Sequence, residues 1–211
     1  MHLRLFGRHA PELELVRIDV IGGAPLPELD AVDALLLTGS RHDADGADGW
    51  IVRLADLLRE AREGAVPTVG ICFGHQLIAH ALGGRVARAA VGWGIGVHEA
   101  RLTEAGRRVW SAPTRFSLIH SHQDQVVEPP PGGRVLAASA HAPIAALQVG
   151  SLLGFQGHPE FTPAYAQALM DRRADRIPQP LRDEARESLQ RPTDHGEVAR
   201  WIADHLAGRP A

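Results

Sequence analysis

The chain holds one cysteine, Cys72, and its neighbours give it a possible chemistry. It lies in Gly70-Ile71-Cys72-Phe73-Gly74-His75-Gln76, directly after the apolar stretch Thr68-Val69-Gly70-Ile71, which reads as a strand, and before a helical stretch through Leu77, Ile78 and Leu82. A sharp strand-to-helix turn lifts a side chain above the sheet edge, where it meets the unpaired N–H groups and the positive dipole end of the helix. For a thiol that placement favours the thiolate, which is the nucleophile. Flanking glycines let backbone pass close to a strained turn, and the Phe73 N–H is suited to hold an oxyanion. A cysteine nucleophile also needs a base, and the base an orienting group. Gly157-His158-Pro159-Glu160 follows a second apolar stretch, 152–156. His158 can carry the thiol proton to a departing amine, and Glu160 can accept the far imidazole N–H. Alone, either motif fits a bland role, because a lone cysteine is commonly a buried apolar group and His-Pro-Glu a loop turn. At strand ends on one sheet edge they supply nucleophile, base and orienter together.

The other histidines are weaker candidates. His75, three residues past Cys72, points along the helix and reads as a core or hydrogen-bonded residue. His120 and His122 share a strand face and with His98 could in principle hold zinc, but no ligand spacing supports a metal, and none is expected. No phosphate-binding loop is present, and no cofactor is expected. A single cysteine allows no internal disulfide. The net charge of −3 and the scattering of Arg53, Asp56, Arg59, Glu60, Arg62 and Glu63 describe a solvated face and no nucleic-acid footprint. No apolar run approaches the ~18 residues that span a bilayer, and Met1-His2-Leu3-Arg4-Leu5-Phe6 has no signal-peptide pattern, so no membrane role and a cytoplasmic location are expected.

These residues must be positioned by an alternation of apolar strands and amphipathic helices. That pattern predicts an α/β fold, a mostly parallel sheet with helices on both faces. Strands are predicted at 13–20, near an edge, at 33–38, at 68–71 and at 152–156. Helices are predicted at 50–63, where Ile51, Leu54, Leu57, Leu58 and Ala61 recur at helical spacing, after Cys72, and at 163–170, 180–189 and 197–206. Shorter strands joined by turns at Gly92-Trp93-Gly94 and Pro129-Pro130-Pro131-Gly132-Gly133 are predicted between 85 and 149. At 211 residues without a long linker, one domain over 1–211 is expected.

In combination, the Cys72 and His158 motifs, Thr38-Gly39-Ser40-Arg41-His42-Asp43, Gly92-Trp93-Gly94 and Ser121-His122-Gln123-Asp124-Gln125-Val126 resemble the class I (triad) glutamine amidotransferases. The likeness is greatest to the stand-alone, GMP-synthase-like group that includes plant γ-glutamyl peptidases. The resemblance implies a flavodoxin-like sheet, a Cys72–His158–Glu160 triad, and an oxyanion hole of the Gly39 and Phe73 N–H groups. It also implies that Gln76, Ser121, His122, Gln123 and Asp124 bind the α-amino and α-carboxylate groups of the substrate. The implied activity is a glutaminase that cleaves the γ-amide of glutamine through a γ-glutamyl thioester, passing ammonia to a separate synthetase subunit or other acceptor enzyme. The alternative is a stand-alone γ-glutamyl peptidase acting on glutathione-like or γ-glutamylated metabolites, and a catalytically silent binding member is the third. The sequence departs from the pattern twice. Gly39-Ser40-Arg41 replaces the Gly-Gly-Pro of synthetase-linked members. Residues 1–8 match the end of the family's first helix better than its first strand, so the N-terminus reads as shortened.

Overall fold

The computed structural model describes residues 1–110 and 112–209. Its elements are α1 (His2–His9), β1 (Leu35–Leu37), α2 (Gly49–Glu63), β2 (Thr68–Ile71), α3 (Phe73–Ala81), β3 (Arg85–Arg88), β4 (Gly94–Leu102), α4 (Glu104–Val109), β5 (Arg115–His122), β6 (Asp124–Glu128), β7 (Arg134–Ser139), β8 (Ala146–Val149), β9 (Leu152–Phe155), α5 (Pro163–Arg172), α6 (Gln179–Ser188) and α7 (His195–Leu206). Seven strands form one sheet in the order β1-β2-β9-β8-β7-β4-β5, and β3 pairs with β6 in a separate ribbon.

The α/β class holds, with helices on both faces. The parallel pairings are β1 with β2 and β2 with β9. From β9 outward through β8, β7, β4 and β5 the pairing is antiparallel. Chain economy explains the division, because parallel neighbours require a crossover whereas antiparallel ones can be joined by a short turn. The α2 and α3 crossovers belong to the parallel part, and it is there that the Cys72 and His158 segments leave the sheet.

The expected strand at 13–20 is not formed. The segment is irregular, although Leu13 and Leu15 still pack against the core. Its alternation is real but half-exposed, and Val16 at 80% exposure has no packing face to hold it in a ladder. β1 is accordingly the outermost strand on that side. Residues 2–8 are helical, as their correspondence to a helix end implied.

Strand alternation divides the core into layers. On β2, Val69 and Ile71 face a cluster with Phe155, Trp110, Trp201 and Ile202, which seats α7 and α1. The opposite face meets α2 and α3 through Leu58, Leu77, Ile78 and Leu152. On that face the register sets Gly70 directly beside Gly154 on β9. An added Cβ at Gly70 would lie 2.3 Å from the Gly74 carbonyl carbon, and one at Gly154 would lie 2.5 Å from His75 Nδ1. Two facing glycines thus let the first turn of α3 rest directly on the sheet, lower than any side chain would allow.

Candidate active site

That close seating creates the elbow. Cys72 joins β2 to α3 with φ 52° and ψ −98°, a left-handed conformation rare for a residue with a Cβ. The strain is held by the surroundings: the Cys72 N–H donates to the Phe155 carbonyl at 2.8 Å, and the Cys72 carbonyl accepts from the Gln76 N–H at 3.0 Å. Gly74, where a Cβ would stand 2.6 Å from the Leu37 carbonyl oxygen, lets α3 cross β1 as well.

The His158 loop leaves β9 and docks on β5, where the His158 N–H donates to the Ile119 carbonyl at 2.8 Å. His158 Nδ1 donates to Glu160 Oε1 at 2.8 Å, with both side chains almost wholly buried. Cys72 lies on the other side of the ring, both residues bordering Gly39, and its sulfur acts electrostatically on the imidazole. Burial opposes a charged imidazole here, yet the Glu160 carboxylate and the Cys72 sulfur outweigh it and hold the His158 pKa well above the ordinary 6.5. Burial would raise Glu160, and the His158 charge prevails to keep it below its ordinary value. Phe161 stacks on the imidazole at 3.8 Å between ring centroids, which limits its rotation. Cys72, His158 and Glu160 therefore stand together as the sequence expected.

Gly39 also reaches this point, since a Cβ there would lie 2.8 Å from His158 Cε1 and 3.8 Å from the Cys72 Cβ. Phe73 opens α3, so its N–H belongs to the helix-terminal groups without an intrahelical acceptor. Gln76 donates to the Asp124 carbonyl at 2.6 Å and to Gln156 Oε1 at 3.3 Å, and Gln156 Nε2 stands 3.6 Å from Cys72 Sγ. Burial raises the Asp124 carboxyl, partly offset by Arg88. Ser121 Oγ accepts from Arg173 at 2.8 Å, and the Gln123 carbonyl accepts from Ala89.

His122 is different. Its ring lies in a histidine cluster, 5.2 Å from His120 and 5.3 Å from His141, with His98 4.9 Å from His120. Burial first, then the neighbouring imidazoles, lower both His120 and His122 far below the usual range, so the cluster is neutral. Among the described residues no group of three such side chains is arranged to hold a metal ion. His75 is a core residue, its Nε2 paired with the Ile144 carbonyl at 3.1 Å.

Three neighbours escaped sequence reasoning. Gln156 could have been noticed as a polar residue ending an apolar strand. Arg173 had no local signal, because it reaches the site across a helix. His2 comes from α1 to stand 3.5 Å from Glu160 Oε1, a contact that no sequence spacing encodes.

Comparison with known proteins identifies the family. The family model for glutamine amidotransferase class-I matches residues 9–174. Gamma-glutamyl peptidase 5 of Arabidopsis thaliana is 34% identical over 174 residues, covering 79% of this chain and 69% of that protein. A subunit of the glutamine-hydrolyzing GMP synthase of Saccharolobus solfataricus is 35% identical over 138 residues, covering 64% of this chain and 71% of that protein. The crystal structure of a glutamine amido transferase from Methylobacillus flagellatus superposes with a TM-score of 0.81 at 22% identity, over 98% of this chain and 87% of that one, and so shares the fold. The chain belongs to the class I glutamine amidotransferase family.

Proposed function

We propose that this chain hydrolyses the γ-amide of glutamine or a related γ-glutamyl compound through a thioester on Cys72. The observation that carries the reading is a single imidazole that lies beside a strained-elbow cysteine, both bordering Gly39, and is bonded to a buried carboxylate at 2.8 Å. The Cys72 sulfur adds to the γ-carbonyl carbon as its proton rests on His158. The oxyanion is met by the Phe73 and Gly39 N–H groups. Collapse breaks the C–N bond as His158 gives the proton to the departing nitrogen, leaving a γ-glutamyl thioester. Water then gives a proton to His158 and attacks the thioester; the C–S bond breaks, the thiol regains its proton and glutamate leaves. Glu160 holds the imidazole orientation and stabilises its cation throughout.

With glutamine as donor the released nitrogen is ammonia, available to a separate synthetase subunit or other acceptor enzyme. The extent of likeness favours a second reading, a free-standing γ-glutamyl peptidase, since it reaches 79% of the chain for a peptidase relative against 64% for the synthase relative. Intact-mass measurement after brief exposure to glutamine or γ-glutamyl peptides tests the shared step. A gain of one glutamyl group is expected in the native chain and none in Cys72→Ala, with the fold unchanged. Undiminished turnover in Cys72→Ala would reject the mechanism, and a native chain that neither labels nor turns over would indicate a silent member. Full-length activity with glutamine alone, with and without a candidate acceptor, separates the two leaving groups.

A further inference from the structure

Arg173 closes the C-terminal end of α5 with its side chain half-buried. Its guanidinium donates to Ser121 Oγ at 2.8 Å and lies over the Trp93 ring, 5.4 Å from the centroid. Arg176 lies over the same ring at 5.6 Å, and the indole is locked by its Nε1 donating to the Arg176 carbonyl at 3.1 Å. Among the described residues neither arginine forms an ion pair with a carboxylate. Asp171, two residues before Arg173, is engaged by Arg186 and Gln167. A ring face and a hydroxyl orient a guanidinium but do not neutralise it, and a partly desolvated cation without an anion is costly.

The position of this charge matters. Ser121 lies two residues beyond Ile119 on β5, hence on the same strand face and about 7 Å along it. Ile119 is where the His158 loop is bound. From His158 an aromatic wall leads on through Phe161 to Tyr165, the last two rings 4.7 Å apart. Burial and the Arg176 charge lower the Arg173 pKa, and Cys72 and Tyr165 partly oppose them. Arginine stays charged throughout.

We propose that Arg173, positioned by Ser121 and Trp93, is the cation that binds a substrate carboxylate beside Cys72. The inference rests on the γ-glutamyl reading above and sharpens its substrate class. The planar fork suits a carboxylate in two-point contact. Every γ-glutamyl donor carries an α-carboxylate, and a γ-glutamyl peptide carries a second on its leaving group. Both offer the same chemistry.

Three donors distinguish the sources: γ-glutamylglycine, γ-glutamylglycinamide, and γ-glutamylglycine amidated at its α-carboxyl. Their Kd is measured by calorimetry on Cys72→Ala and Cys72→Ala/Arg173→Met, and KM and kcat on the native chain, Arg173→Met and Arg173→Lys. Loss of a charge-assisted pair predicts Kd and KM about ten- to a hundredfold higher for Arg173→Met with kcat nearly kept, and an intermediate effect for lysine. The penalty vanishes for the donor lacking the carboxylate that Arg173 holds, which names the α-carboxylate or the leaving group. An equal Kd in the two Cys72→Ala backgrounds for all three donors overturns the inference, as does failure of Cys72→Ala to bind any of them. Binding that depends on Arg173 in a native chain without turnover rejects the hydrolase reading alone. A melting temperature equal to that of the native chain shows that the variant is folded.

Discussion

Replacing Glu160 by glutamine tests the electrical part of the mechanism while keeping the shape. The carboxylate is buried, with a side-chain exposure of 2%, and stands 2.8 Å from His158 Nδ1. Opposite charges centred about 4 Å apart interact by about 4 kcal/mol at an effective dielectric of ~20. At about 1.4 kcal/mol per pKa unit, losing that interaction lowers His158 by about three units, from about 10 to about 7, and removes about half of the imidazolium at neutral pH. His2, 3.5 Å from the same oxygen, offers no replacement charge, because burial lowers its pKa. The expected result is a fall in kcat/KM of about a thousandfold, with the alkaline limb of the pH profile moved towards neutrality. The stability signs follow. His158, held above 6.5, adds stability that is complete below pH 6.5 and lost as pH rises through its folded value. Glu160, held below 4.5, adds stability above pH 4.5 that is lost as pH falls through its folded value. The assay is kcat/KM for a γ-glutamyl donor from pH 5 to 10, with melting temperatures at each pH. A rate loss with an unmoved alkaline limb would refute the electrostatic role and leave Glu160 a merely structural partner.

Other outcomes follow from the same geometry. Gly70→Ala, whose Cβ would meet the Gly74 carbonyl carbon at 2.3 Å, should cost about 3 kcal/mol or more by forcing α3 off the sheet. Urea unfolding measures this cost; a cost under 1 kcal/mol would contradict the close seating. Burial lowers the His75 pKa from 6.5 to about 4, so folding stability should fall as pH drops from 6.5 to 4, by about 3 kcal/mol for this residue. Unfolding curves of the native chain and His75→Gln should differ in their pH slope over that range, and equal slopes would rule the assignment out. Gln156→Leu removes the amide 3.6 Å from Cys72 Sγ and the acceptor for Gln76, and should reduce kcat while leaving α3 and the sheet intact. An unaltered kcat in a folded variant would remove Gln156 from the site.

Much of the site was legible because its strongest signals are local. A cysteine between two glycines at a strand-to-helix junction, and a histidine followed two residues later by a glutamate, are each contained in a few residues. The strands carrying them are short continuous apolar runs, and α2 shows its buried face in the spacing of Leu54, Leu57, Leu58 and Ala61. The strand expected at 13–20 failed because alternation records a tendency to extend and does not supply a neighbour to pair with. The neutral cluster around His122 was not legible, because His141 lies 5.3 Å away in space and nineteen positions later in the chain.

The residue order by itself determined which side chains could act as nucleophile, base and orienter, since bond-forming capacity belongs to residue type and a tight turn is written in its own glycines. Only the tertiary structure decided that they meet. The pairing of Gly70 with Gly154 across β2 and β9 lowers α3 onto the sheet, and this sets Cys72 against a histidine that lies 86 positions further along the chain. The charge that completes the site follows the same rule. Arg173 reaches Ser121 across 52 positions, a proximity that arises from helix packing and has no imprint in local sequence.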